Sequence, residues 1–205
     1  MPIAKQIQIG LITLAITTCT AGSYARAQSA NSRVATNAEG VQVPSEAFER
    51  ELACIYEAAG WDAMMNFAEI AFLRVDNDTL RDKIAEEIAD CAKQHNWDAE
   101  TQTLAFNAFL YSSLIDYNIE QTGGAQFNNA AIFEIWDDLS NDDKAALGAD
   151  GADKNAALLA RTAAIIRSKV PNASNQSVAY AQNALAAATV FASLRYQWSQ
   201  KVVSN

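Results

Sequence analysis

Apolar residues recur at helical spacing almost throughout residues 44–205, and this spacing restricts the fold more than any other feature of the chain. In the first stretch the apolar positions fall three and four residues apart, at Phe48, Leu52, Ile55, Tyr56 and Ala59. Such a repeat places apolar side chains on one face of an α-helix. The whole chain has three prolines, and runs of β-branched residues are few, so strands are disfavoured. The sequence therefore predicts an all-α protein.

Capping and stop residues divide this region into about seven helices. Ser45 is placed to cap the first helix and Gly60 to end it, while Asp98 is placed to cap a long fourth helix. Pro171 separates the last two helices. The connections are short, and short connections favour antiparallel neighbours. We therefore expect residues 44–205 to form a single domain, a compact antiparallel helical bundle.

The first 27 residues have the pattern of a cleaved export signal. Lys5 supplies a positive charge, residues 7–16 are largely apolar, and residues 25–27 (Ala-Arg-Ala) form a small-x-small cleavage site. A membrane anchor would need ~20 apolar residues, and polar residues interrupt this run. Lipidation at Cys19 is another alternative, but the small residue that such processing needs just before the cysteine is missing. We expect cleavage after Ala27, hence a periplasmic or secreted protein without stable membrane insertion.

Residues 28–43 are small, polar and without periodicity. A segment of this composition buries too little apolar surface to offset the entropy lost on ordering. We therefore expect these residues to form a flexible leader between the signal and the folded domain.

Two cysteines remain after the expected cleavage, Cys54 and Cys91. An exported protein meets an oxidising environment, in which cysteines pair. A redox-active or metal-binding pair is the alternative, but the chain lacks C-x-x-C spacing and has a single histidine, His95. We predict a structural disulfide that joins the first helix to the third.

The charge balance argues against nucleic acid as a partner. The whole chain has 15 Lys and Arg against 24 Asp and Glu, a net charge of −9. Cleavage after Ala27 removes two basic residues, Lys5 and Arg26, and no acid, so the net charge becomes −11. Phosphate backbones and anionic lipid surfaces repel such a chain, whereas a basic protein partner is attracted. The acids are dispersed, and a solvated surface alone also accounts for dispersed charge.

The usual catalytic and cofactor motifs are missing. His95 lies in a polar stretch at the expected end of the third helix, where a cation is favourable, and not beside a nucleophile. Residues 76–87 imitate the two ends of a calcium-binding EF-hand loop, but Leu80 occupies a ligand position and Arg81 the position of the turn glycine. The sequence also has no phosphate-binding glycine loop. We predict neither a metal nor a cofactor.

Acid/base catalysis by two carboxyl groups is the one catalytic option that the composition permits. Asp116 is the first candidate because it lies on the fourth helix, which is apolar on nearly all sides. Glu69, in the apolar second helix, is the second. If both side chains faced one cavity, they would supply the two carboxyl groups that acid/base catalysis requires. The alternative is exposure, with Asp116 on a narrow polar strip beside Ala105 and Ser112.

A pocket for an apolar ligand is a further option, since helical bundles often hold ligands between their helices. The candidate lining residues are large and apolar: Met64, Met65, Phe72, Phe109 and Phe191. Ordinary core packing explains the same residues. As a whole, the sequence favours an exported helical binding protein that acts through protein–protein interaction, as an adaptor, inhibitor or immunity-type protein. An acid/base enzyme and a carrier of a small apolar ligand are the alternatives.

Overall fold

The computed structural model of the protein describes residues 46–123 and 126–204, and within these ranges it is all-helical, without strands. The expected signal, the expected leader and the predicted cap at Ser45 lie outside the described residues. Eight α-helices pack together: α1 (Glu46–Ala59), α2 (Trp61–Leu73), α3 (Asp78–His95), α4 (Ala99–Gln121), α5 (Asn129–Asp137), α6 (Asn141–Leu147), α7 (Ala156–Lys169) and α8 (Asn175–Ser204). A short 3₁₀ turn, Ala152–Lys154, precedes α7. The predicted all-α helical bundle is confirmed.

Helix boundaries follow the capping residues in the sequence. The Asp98 carboxylate accepts a hydrogen bond from the backbone N–H of Thr101 at 2.7 Å, at the start of α4. The side chain of Asn77 accepts one from the backbone N–H of Leu80 at 3.1 Å, at the start of α3. Gly60 separates α1 from α2 with a φ of 75°, a conformation that favours glycine. Local sequence therefore determines where these helices begin and end.

The two longest helices, α4 and α8, run antiparallel through the centre of the bundle. At one end, the Ser177 hydroxyl donates a hydrogen bond to the backbone carbonyl of Thr122 at 2.9 Å. At the other end, the Lys201 ammonium lies 2.7 Å from the Glu100 carboxylate. Both helices carry fully buried alanines, which allow helices to approach closely: Ala105, Ala108, Ala181, Ala184 and Ala188.

The hydrophobic core has two parts, and α8 contributes to both. Helices α1 to α4 pack with residues 187–198 of α8. Helices α5 to α7 pack with residues 178–185 of the same helix. Ile119 and Trp136 lie against both parts. The long α8 therefore joins the N-terminal and C-terminal halves of the described domain.

Despite its 30 residues, α8 is not continuously apolar. Buried polar side chains such as Gln182 and Asn183 interrupt its apolar face. Over the ranges 46–123 and 126–204, no helix combines the length and the apolar composition needed to cross a membrane.

A half-buried carboxylate connects three segments at one end of the bundle. Glu51 of α1 accepts the indole N–H of Trp97 at 2.9 Å and that of Trp198 at 3.2 Å. The two indole rings meet edge to face, with centroids 5.2 Å apart, and Phe48 packs on Trp198 in the same way at 5.1 Å. This cluster fixes α1 against α8 and against the turn that follows α3.

The predicted disulfide is confirmed. Cys54 of α1 and Cys91 of α3 are at bonding distance, with sulfur atoms 2.04 Å apart and Cα atoms 6.1 Å apart. The bridge joins the first and third helices, as the positions of the two cysteines in the sequence indicate.

Replacing both Cys54 and Cys91 by alanine should lower the free energy of unfolding by about 3 to 4 kcal/mol. Without the bridge the unfolded chain gains the conformational entropy that the closed loop removes. The bridge spans a sequence separation of 37 residues. Urea unfolding followed by circular dichroism measures the change. Reductant should shift the parent protein to the stability of the double variant and should leave the variant unaffected. A parent protein insensitive to reductant would contradict the expectation.

Glu51→Leu should lower the free energy of unfolding by about 2 to 4 kcal/mol, because it leaves two indole N–H groups without their acceptor. Glu51→Gln keeps an acceptor oxygen, so its cost should be clearly smaller. Glu57→Leu is the matched control, since Glu57 is an exposed carboxylate on the same helix, and its effect should stay within about 0.5 kcal/mol. Urea unfolding of the parent protein and the three variants measures these changes in the free energy of unfolding. Equal losses for the two leucine variants would show that the indole contacts are not stabilising.

Candidate binding cleft

A cleft of about 470 Å³ opens between α1, α2, α4, α5 and α8. Its walls are mainly apolar and aromatic: Tyr56, Trp61, Met64, Ile115, Phe133 and Phe191. Three polar side chains also line it, Ser112, Asp116 and Asn129. This size, and an apolar wall with a few polar groups, are typical of ligand-binding sites in proteins.

A pair of hydroxyl groups forms one side of the cleft. The hydroxyl groups of Tyr56 and Ser112 are hydrogen-bonded to each other. Ser112 also donates to the backbone carbonyl of Phe109 at 3.0 Å, so the Tyr56 hydroxyl is the donor in the first bond. The pair fixes the Tyr56 ring against α4.

The polar strip expected on α4 is not a solvent-exposed strip, and that expectation is wrong for two of its three members. Ala105 has no exposed surface and Ser112 is buried. The reason is tertiary packing, since Tyr56 of α1 covers Ser112. Asp116 alone is half-buried, at the wall of the cleft.

Asp116 has an unusual environment for a carboxyl group. Burial raises its pKa, and the nearby charge of Glu120 acts in the same direction. A hydrogen bond from the side-chain amide of Asn129, at 2.8 Å, opposes the shift because it favours the ionised form. No Lys, Arg or His is among the residues that line the cleft. The carboxyl group therefore lies in a partly apolar setting without a cation beside it.

Glu69, the second predicted acid, lies elsewhere. It is exposed on α2 and does not line the cleft. Its charge acts on Tyr117, whose pKa is raised first by burial and then by Glu69. The structure thus does not bring Asp116 and Glu69 into one cavity, and the geometric condition for a carboxyl pair is not met.

The residues proposed for an apolar ligand pocket divide between the cleft and the core. Met64 and Phe191 line the cleft. Phe109 is completely buried in the core, and Met65 and Phe72 pack against the same core without lining the cleft. The cleft is thus only partly formed by the expected residues.

Trp61 is not among the residues expected to line a pocket, although it is the most exposed large aromatic residue at the cleft. Its side chain is 54 % exposed, and it is the first residue of α2, directly after Gly60. The positive φ of Gly60 sets the direction in which α2 leaves α1, and with it the position of Trp61. In the sequence, only the large aromatic residue directly after a helix-breaking glycine indicates this position.

The remaining chemistry-bearing residues lie outside the cleft. His95, at the end of α3, stacks on Trp97 with ring centroids 5.6 Å apart. Among residues 46–123 and 126–204, His, Cys, Asp and Glu form no group of three that could hold a metal ion. Asn77 accepts the capping hydrogen bond of α3, so the acid-rich turn at residues 76–78 has a structural role.

Asp116→Asn should stabilise the protein at neutral pH and change how stability depends on pH. Because the pKa of Asp116 is raised in the folded state, the folded protein holds this proton more tightly than the unfolded chain. Parent stability should therefore fall as pH rises from the ordinary aspartate value of about 3.9 through the raised pKa, and the variant should lack this component. Urea unfolding between pH 3 and 7 measures both curves.

Asn129→Ala supplies an internal check on that pH dependence. It removes the hydrogen bond that favours the ionised carboxylate, so the fall in stability should extend to higher pH. A difference between parent and Asp116→Asn that does not vary with pH would show that Asp116 titrates alike in the folded and unfolded states.

Comparison with protein families, with curated proteins and with solved structures finds no match to this chain. The cleft, with its aromatic walls and its carboxyl group without a cation, is therefore the feature from which function can be inferred.

Proposed function

We propose that the protein is an exported binding protein that recognises a basic protein partner, in the manner of an adaptor, inhibitor or immunity-type protein. The observation that carries the proposal is the state of Asp116. This carboxyl group is half-buried in an aromatic cleft, and among the described residues its one polar partner is the amide of Asn129. A carboxylate withdrawn from water without a cation is unfavourable, and a cation brought by a partner would offset that cost.

The overall charge supports the same partner. The chain after the expected cleavage has a net charge of −11, and long-range attraction of this kind accelerates encounter with a basic protein. The disulfide between Cys54 and Cys91 supports export, because such bonds persist in oxidising compartments. Charge and compartment together favour a partner met outside the cytoplasm.

The exposed Trp61 supports a protein partner in particular. Tryptophan is among the residues that most often dominate the energy of protein–protein interfaces, because it buries a large area and its N–H still finds a partner. Here the ring is 54 % exposed at the edge of the cleft. A partner that covered Trp61 would also reach the cleft.

Acid/base catalysis is the second candidate function, because a carboxyl group of raised pKa in a cleft is a feature that acid catalysts share. Two observations favour binding instead. Glu69 lies outside the cleft, so it cannot act there as the second carboxyl group. The hydroxyl groups of Tyr56 and Ser112 are hydrogen-bonded to each other, so they are already engaged with protein groups. A carrier of a purely apolar ligand is disfavoured as well, because such a ligand would cover the Asp116 carboxylate without bringing a cation to it.

The tagged protein should capture a basic protein from the envelope fraction of its own cells, and moderate salt should weaken the capture, because exposed charge pairs are screened. Trp61→Ala should reduce the captured amount about tenfold or more, as expected for an interface hot spot. Leu73→Ala is the matched control, since Leu73 is similarly exposed at the opposite end of α2 and lies outside the cleft. Mass spectrometry identifies the captured protein.

The proposal fails if the captured proteins are acidic, if capture is insensitive to salt, or if Leu73→Ala and Trp61→Ala reduce it equally. Circular dichroism of both variants confirms that the fold is retained, so that a loss of capture reports on the surface and not on stability.

A further inference from the structure

We infer that the cleft receives one basic side chain, an arginine or a lysine, of the partner, with its charged end at Asp116 and its methylene stem along the aromatic wall. The inference rests on the proposed function and names the site and the chemistry that would carry it. A second cavity of similar size, beside Lys93, Asn96 and Trp97, is lined by no carboxyl group among the described residues.

A hydrogen bond within the fold orients the Asp116 carboxyl group. Asn129, the first residue of α5, donates its side-chain amide to the Oδ1 atom at 2.8 Å. Among the described residues the carboxyl group accepts no other hydrogen bond and forms no ion pair. Carboxylate oxygens accept several hydrogen bonds, and those from guanidinium or ammonium groups are about twice as strong as neutral ones. Asp116 thus retains acceptor capacity that a cation would use.

The walls of the cleft suit the stem of such a side chain. Lysine and arginine bury their methylene groups on apolar surface while the charged end stays with polar groups. The cleft offers the exposed Trp61 and the half-buried Phe133 for the stem, whereas Met64 and Ile115, which also line it, are buried. It also has four aromatic rings, those of Tyr56, Trp61, Phe133 and Phe191, whose faces attract a cation. An anionic ligand would meet a carboxyl group and no basic side chain.

The shape of the cleft favours a side chain presented by a protein over a free small cation. Sites for small molecules enclose roughly 70–90 % of the ligand surface. This cleft is open along one side, where Trp61 remains more than half exposed. A free small cation would leave that ring uncovered, whereas the surface around a basic side chain of a protein would extend over it.

The inference is tested first by titrating the isotope-labelled protein with Nα-acetyl-arginine amide and Nα-acetyl-lysine amide, followed by nuclear magnetic resonance. Saturable shifts are expected for the indole N–H of Trp61 and the side-chain amide of Asn129. The neutral analogues, Nα-acetyl-citrulline amide and Nα-acetyl-norleucine amide, should produce no saturable shift of these signals. Equal shifts with cationic and neutral amides would overturn the inference.

Two variants separate the cleft from general charge attraction. Asp116→Asn should weaken binding of the cationic amides at least tenfold. Asp62→Asn is the matched control: it makes the same substitution at an exposed carboxylate beside Trp61 that does not line the cleft, and it should change the affinity less than twofold. Equal weakening by both variants would mean that net charge, and not the cleft, attracts the amides, which overturns the inference.

The last step uses the captured partner. Loss of capture by Asp116→Asn, together with normal capture by Asp62→Asn, supports the inference. Undiminished capture by Asp116→Asn, even when the variant no longer binds the cationic amides, overturns the inference but leaves the proposed function in place. Absence of a basic partner with the parent protein refutes the proposed function itself, whatever the amides do.

Discussion

The antiparallel contact between α4 and α8 determines where every other helix can lie, because both parts of the core are built against α8 and the larger part encloses α4. This position requires α4 to be buried on nearly all sides, including at polar residues. Hydrogen bonds within the helix use the donors of these groups: the Ser113 hydroxyl donates to the carbonyl of Phe109 at 2.7 Å, and the Asn118 amide donates to that of Leu114 at 2.7 Å. Among the described residues the Oδ1 atom of Asn118 is buried without a hydrogen-bond partner. Hydrogen bonds within a helix let a polar side chain remain in a core without a tertiary partner.

The cleft results from the way the shorter helices meet this central pair. Helix α4 supplies Ser112, Ile115 and Asp116, and α8 supplies Phe191, so the cleft has a rigid floor. Helices α1 and α2 meet at Gly60 beside it, and α5 begins at Asn129 on its other side. Functional groups on packed helices are held more precisely than groups on loops. The geometry around Asp116 is therefore a consequence of the bundle.

The features that the sequence predicted correctly are local or nearly so. The cap at Asp98 acts on a residue three positions away, and apolar spacing defines a helix within its own length. The disulfide could be predicted from the number of cysteines, because two remain beyond the expected cleavage site. The cleft was not predicted as such, because it depends on contacts between distant residues. Asp116 stood out from its own helix, but only the approach of α1 shows that Ser112 is covered, and only the turn into α5 brings Asn129 to the carboxyl group.

Two other acids that the fold withdraws from water, Asp143 and Glu51, differ from Asp116 in their partners. Asp143 is buried, and the Arg161 guanidinium, 2.6 Å away, lowers its pKa. Glu51 accepts two indole N–H groups. Among the described residues Asp116 has one amide partner and no cation, and burial raises its pKa. The fold thus gives Asp116 fewer hydrogen bonds than Asp143 or Glu51, at the wall of an open aromatic cleft. Under the proposed function, a basic partner would supply the cation that Asp116 lacks among the described residues.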